Sequence, residues 1–383
     1  MISKDILQEV LIAALSTGAD FAEIFAEHTD EKSIYMIDSR VQNISDRVIS
    51  GVGIRVFKGC RCISGCTTDM SRLGLLACAK KVADTLSDSP TISQVCLTER
   101  IFGDIHPIRI VPSSCKNQTK IDLLKEAYFS AKEYHERISQ VSGVFLDVDH
   151  KILVANSEGL FAQDRQIRTR LVINAVASKE GENQTGSCSP GRRMGLEMFD
   201  LFSPKEIGQK AAKQALVMLD ADYIKAGTMP VAIENGFGGV IFHEACGHSL
   251  EATSVAVGRS QFAGKLGQKI AGEKVTAVDD GTIPNAWGSI NIDDEGHPSK
   301  RNVLIENGVL KSYLIDKLNG RRMNMESTGS SRRQSYLFEP TSRMTNTFIE
   351  NGPDKNEDII RSIEYGLYAK SMGGGSVDPV TGS

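Results

Sequence analysis

The densest group of chemically capable side chains in the sequence is Val240-Ile-Phe-His243-Glu244-Ala-Cys-Gly-His248-Ser-Leu-Glu251. Zinc hydrolases commonly place two imidazoles one helical turn apart, with a glutamate directly after the first. The imidazoles hold the ion, and the carboxylate takes a proton from the water that the ion activates. Here the spacing is His-Glu-x-x-x-His, one residue longer than the usual motif. On a regular α-helix, side chains four apart differ in direction by about 40°, but five apart by about 140°. His243 and His248 can share a metal only if the helix is locally widened by one residue, and such π-bulges favour functional sites. Gly247, which weakens a helix just before His248, eases the distortion. The alternative is a core helix in which both histidines are hydrogen-bonded packing residues and Glu244 is solvated. The motif alone leaves both open. Glu251 reads as a surface charge in preference to an orienting partner for an imidazole. Cys246 reads as pointing off the shared face.

Other candidates have a blander reading. Gly236-Phe-Gly-Gly239 reads as a tight strand-to-helix turn, and Trp287 as a packing residue. Asp279-Asp280 and Asp293-Asp294-Glu295 lie among Gly, Pro and Asn and read as solvated turns. Arg321-Arg322 and Arg332-Arg333 have the chemistry to bind a substrate carboxylate, but surface or inter-strand pairing is the better reading. Eight scattered cysteines argue for reduced thiols in a cytosolic protein, and the Cys60, Cys62, Cys66 group reads as structural.

The elements that must position these residues follow from periodicity. Helical faces run over 4–16, Arg72–Leu86, Ile121–Glu136 and Pro204–Leu219. Strand patterns occupy Phe21–His28, Ser33–Asp38, Gly51–Phe57, Val144–Asp149, Ile152–Asn156 and Ile167–Ala177, the last in an antiparallel meander. Ser87–Gln118 reads as connection and Lys179–Arg193 as turns. Beyond Met229 the pattern predicts a strand at Pro230–Glu234 and a helix at Val240–Ala252. Strands are then predicted at Asn302–Ile305, Val309–Ile315 and Met344–Ile349, and a helix at Ile359–Ala369. Asn307-Gly308 is a hairpin signal. The fold class is α+β, with an N-terminal α/β domain over 1–220 and a second domain over 221–383.

Composition narrows the function classes. The 383 residues carry 44 Lys+Arg against 48 Asp+Glu, a net charge of −4, which gives direct nucleic-acid binding no electrostatic support. Hydrophobic residues at 40% and charged residues at 24% exclude wholesale disorder. No apolar run approaches the ~18–20 residues of a membrane helix, and the N-terminus reads as a helix without a cleavage site. The expectation is a soluble, cytoplasmic protein with no membrane partner.

Across the second half, the segments GGVIFHEACGHSLEA, FAGKLGQKIA, VDDGTIPNAWGSINIDDEG, LIDKLNGRRMNMESTGSSRRQSY, PTSRMTNTFI and SIEYGLYAKSMGGGSVDPVTG resemble the TldD branch of the TldD/PmbA family of metalloproteases. The resemblance extends over essentially the whole chain. It implies a zinc (Zn2+) metalloprotease that hydrolyses unfolded or extended peptides, with His243 and His248 as zinc ligands and Glu244 as general base. It also implies a β-rich, barrel-like C-terminal domain, and a homodimer or a heterodimer with a PmbA-like subunit enclosing the site. Branch members continue into a strand-rich region whose cysteine is the third zinc ligand, and none of the eight cysteines here matches it. The expectation is therefore a C-terminally truncated chain with an incomplete barrel. The alternative function is a catalytically impaired subunit acting as a peptide-binding or dimerisation partner.

Overall fold

Alternation along the first strand sets the layering. After α1 (Lys4–Ala14), β1 (Phe21–Ile37) turns Ala22, Ile24, Ile34 and Met36 to one face and Glu23, Phe25 and Glu27 to the other. All seven are buried, so the strand lies between two layers. The computed structural model describes residues 2–381 apart from 91, 93, 375 and 379. The next elements are β2 (Arg40–Lys58), β3 (Arg61–Thr67), α2 (Arg72–Ala83), β4 (Thr98–Glu99) and α3 (Asn117–Lys132). They are followed by β5 (Ile138–Asn156), β6 (Leu160–Lys179), β7 (Glu182–Cys188), β8 (Gly191–Arg192) and α4 (Pro204–Leu219). One sheet in the order β3-β2-β1-β5-β6-β4 results, with β7 and β8 also pairing with β6. Its ladders are antiparallel except for β4, which runs parallel to β6.

The apolar stripe Leu7, Val10, Leu11, Ala14 of α1 packs with α2 over one end of the helix-bearing face. Helices α3 and α4 cover the other end. A cavity of about 960 Å³ beside α1 is lined by Ile6, His28, Phe102, Lys151 and Arg165, among others.

The strands are longer than the sequence pattern predicts. β1 and β5 run unbroken for 17 and 19 residues, through polar stretches that read as interruptions. Those residues satisfy one another: Thr29 Oγ1 donates to Glu27 at 2.7 Å and sits 2.7 Å from His150 Nδ1. The predicted turn region Lys179–Arg193 also contains β7.

The second part of the chain covers the opposite face. Its elements are β9 (Val231–Ile233), α5 (Val240–Phe242), α6 (Ala252–Val255), β10 (Ala277–Asp280), β11 (Arg301–Glu306) and β12 (Val309–Leu310). Then come α7 (Lys317–Met323), β13 (Ser331–Arg332), β14 (Thr341–Ser342), β15 (Thr347–Ile349), α8 (Asn356–Arg361) and β16 (Leu367–Ala369). Asn307 and Gly308, with φ of 50° and 81°, make the predicted turn between β11 and β12. The strand predicted at Val309–Ile315 stops at Leu310, and the helix predicted at Ile359–Ala369 ends at Arg361. Its last three residues, Leu367–Ala369, form β16, parallel to β9. The α+β class holds, and the incomplete, barrel-like C-terminal domain is not confirmed. Among the described residues the strands form an open four-stranded sheet, β12-β11-β10-β15, and two two-stranded ladders, with no closed barrel.

Ile292 and Tyr336 pack on Phe25, Ile152, Val154, Leu160 and Ala162 of the large sheet. Gly51 and Gly53 permit this approach, since a Cβ on either would lie 2.3 Å from the Tyr336 ring or 2.6 Å from its carbonyl oxygen. Ionic groups cross the same interface. Arg55 donates to both oxygens of Glu23 at 2.9 and 3.0 Å and to Glu295 at 2.5 Å, and Arg333 donates to Glu23. All four are buried.

Candidate metal centre

The helix predicted over Val240–Ala252 is broken into pieces. α5 passes into a π-helical turn, His243–Gly247, then a 3₁₀ turn, His248–Leu250. Glu251 is extended (φ −73°, ψ 125°) before α6 begins. The widening that the His-Glu-x-x-x-His spacing requires is present: the His248 N–H donates to the carbonyl of His243, five residues back. Packing fixes this turn at both ends. Phe242 and Leu250 are buried with Leu304, Leu314 and Met344. Leu314 accepts from Ala252 N–H at 2.8 Å and donates to Leu250 at 3.0 Å. Gly247 lets Met344 pack close, since a Cβ there would lie 2.2 Å from Met344 Sδ and displace that side chain.

The wide turn brings three donors together. One ligand atom each of His243, Glu244 and His248 lie within 4.8 Å of one another, on half-buried side chains. The imidazoles meet edge to face, with centroids 4.8 Å apart and planes at 82°. His248 Nε2 lies 3.9 Å from Glu244 Oε2, and its Nδ1 lies 3.3 Å from Glu251 Oε2. His243 Nδ1 is 3.3 Å from Thr347 Oγ1 on β15. Burial, with nearby His248 adding repulsion, holds His243 below the usual histidine range. It therefore stays neutral and able to donate a lone pair at neutral pH. Two imidazoles with a carboxylate beside them form a group whose chemistry suits zinc.

Glu251 is not the surface charge the sequence suggests. Its side chain is 9% exposed and faces His248, because the chain leaves the helix at that residue and points it back. Spacing three beyond His248 was the available signal. Thr347 had none, lying 104 residues from His243. Cys246 packs against the apolar core, and burial raises its thiol pKa. Neither it nor Cys60, Cys62 and Cys66 joins a metal group among the described residues.

The acidic pairs read as solvated turns are also buried. Asp293 accepts from the N–H groups of Glu295, His297 and Ser331, and Asp294 from that of Arg333 at 2.6 Å. Asp279 binds the N–H and hydroxyl of Thr345, and Asp280 those of Thr282. These carboxylates organise loops, and among the described residues they form no shared metal-ligating group. Of the arginines, Arg321 pairs with Asp20 at 2.5 Å, Arg333 is in the buried interface, and Arg332 lies on β13 beside β14. Trp287 packs against Gly191 with the Arg170 guanidinium over its ring, and Gly236–Gly239 is a 3₁₀ turn into α5.

Three family models match the chain: PmbA/TldA metallopeptidase domain 1 over residues 22–86, the central domain over 112–219, and the C-terminal domain over 226–383. A protein of Haemophilus influenzae named metalloprotease TldD homolog is 34% identical over 95% of this chain and 77% of its own length. A zinc metalloprotease TldD homolog of Saccharolobus solfataricus is 26% identical over 94% of this chain and 79% of its own. The solved structure of TldE from Thermococcus kodakarensis superposes with a TM-score of 0.76 at 22% identity, covering 96% of this chain and 83% of that one. That likeness shows the fold. The matches lend no support to the expected truncation.

Proposed function

The chain belongs to the TldD/PmbA metallopeptidase family, and we propose that it cleaves unfolded or extended peptides with zinc held by His243 and His248 and with Glu244 as general base. The observation that carries the reading is the π-helical turn, which brings the two histidines together beside Glu244 although their five-residue spacing on a regular helix would turn them about 140° apart. Zinc in such a site supplies Lewis acidity, polarising the scissile carbonyl and acidifying water near neutral pH. Glu244 accepts the proton of the attacking water and delivers it to the leaving amine. His243, held neutral by burial, offers its lone pair without first losing a proton.

The relative from Saccharolobus, named a zinc metalloprotease, supports zinc over other divalent ions. The assembled site gives the non-catalytic alternative no support. We also assign two units, 1–220 and 221–383, a division bracketed by family models ending at 219 and starting at 226. Pairing with a second copy or with a PmbA-like subunit completes the reading, and the TldE fold is its support. No described helix is long and apolar enough to cross a membrane.

Zinc content and peptide cleavage test the assignment together. The parent chain is expected to hold about one zinc, and the His243→Ala/His248→Ala double variant none, as the motif requires. Glu244→Gln should keep the zinc and lose cleavage of an unstructured peptide by ~10²–10⁴-fold. Undiminished cleavage by Glu244→Gln, or zinc retained without both histidines, rejects it.

A further inference from the structure

We infer that Glu251 is a positioning residue for the metal centre, holding the His248 ring so that Nδ1 faces Glu251 and Nε2 faces Glu244, with Thr347 doing the same for His243. The inference rests on the metallopeptidase reading above and extends it to residues that touch neither the ion nor the substrate.

Two carboxylates bracket one ring: Glu251 Oε2 is 3.3 Å from Nδ1, and Glu244 Oε2 is 3.9 Å from Nε2. A neutral imidazole carries a single ring proton, and a carboxylate beside Nδ1 favours that proton there, leaving the Nε2 lone pair for an ion. The Thr347 hydroxyl, 3.3 Å from His243 Nδ1, gives the second ring a hydrogen-bonding partner on the same nitrogen, one able to accept from Nδ1–H. Glu251 is costly to keep in this place. Its side chain is 9% exposed, Oε1 has no hydrogen-bond partner, and the nearest cation, Arg343, has its Nε 3.9 Å away. A surface charge gains nothing from such burial, whereas an orienting group must be buried beside the ring it orients.

The support also comes from outside the π-helical turn. Leu250 and Ala252, on either side of Glu251, are bonded to Leu314, so the carboxylate is delivered from a strand-like bridge. Thr347 is delivered from β15, which pairs with β10. The two rings are thus oriented by two separate parts of the C-terminal sheet region, and the turn need only bring them close.

The test measures zinc affinity by competition with a chromophoric chelator, and ring tautomers by long-range nitrogen–proton NMR of histidine-labelled, metal-free protein. In the parent, His248 is expected as the Nδ1–H tautomer. Glu251→Ala should weaken zinc about 10–100-fold and move the ring proton of His248 toward Nε2. Glu251→Gln should fall between, and Thr347→Val should weaken zinc while altering only His243. Zinc affinity and tautomer both unchanged in Glu251→Ala overturn the inference but leave the metallopeptidase reading intact. If Glu251→Ala fails to fold, Glu251→Gln decides, and parental affinity in it overturns the inference. A parent that binds no zinc overturns the reading above, and an Nε2–H tautomer in that parent overturns the role of Glu251 as well.

Discussion

A single carboxylate at the inter-layer interface shows how strongly burial changes the value of a charge. Burial works against the charge of Arg55, but Glu23 and Glu295 outweigh it and hold the guanidinium above its ordinary pKa. Glu295 also accepts from the N–H of Lys317 at 2.8 Å. Glu295→Ala should therefore cost ~3–5 kcal/mol, since it leaves a buried charge and a backbone donor short of a partner. Glu158→Ala, which removes the half-exposed partner of the Lys317 ammonium, should cost at most ~1 kcal/mol. Urea unfolding of the two variants checks this, and similar losses for both would reject it. The sequence made Glu295 look solvated because its neighbours are Gly, Pro and Asn. Its partner Arg55 stands 240 residues earlier, where no spacing rule reaches. The histidine pair was legible because its chemistry is contained within one turn.

Among the elements, the π-helical turn has the most direct consequence. It accommodates one residue more than an α-helical turn, and its five-residue hydrogen bond joins the two histidines themselves. Deleting Ala245 leaves His-Glu-x-x-His, a spacing that a regular α-helix aligns without distortion. The contacts of Phe242 and Leu250 on either side can then persist, so this shortened chain is expected to keep its zinc. Inserting a second alanine after Ala245 turns the rings apart, and zinc should be lost. A deletion variant that melts like the parent yet binds no zinc would show that the π geometry itself is needed. The helices were legible for a related reason: Lys4–Ala14 and Pro204–Leu219 each carry their own apolar stripe. The unity of β1 and β5 was not, because polar residues in their middles are paired along and across the two strands, as Thr29 is with Glu27 and His150.

For the whole molecule, the acids buried in and beside the interface make stability depend on pH in an unusual direction. Burial pushes Asp294 up to about 6 despite the Arg333 N–H and the nearby arginines, and Asp279, beside Thr345, also to about 6. In the unfolded chain each releases its proton near 3.8. Between these values the folded state binds more protons than the unfolded state, so raising the pH through this range removes stability. Asp149 and Glu197 act oppositely: their lowered pKa values contribute stability above the ordinary carboxylate range, and that is lost as pH falls through their folded values. Asp294→Asn isolates one contribution, since the amide oxygen can still accept from Arg333 N–H but takes up no proton. At pH 4, where Asp294 is neutral in the folded parent and only partly ionised in the unfolded chain, the variant should exceed the parent only slightly. By pH 7.5 it should be the more stable by up to about 3 kcal/mol, the equivalent of a shift of roughly two pKa units. Urea titrations at half-unit intervals from pH 4 to 8 would trace the two curves. A constant difference across that range would mean that Asp294 ionises in the folded protein as it does in the unfolded chain, with Arg333 and its neighbours fully offsetting the cost of burial.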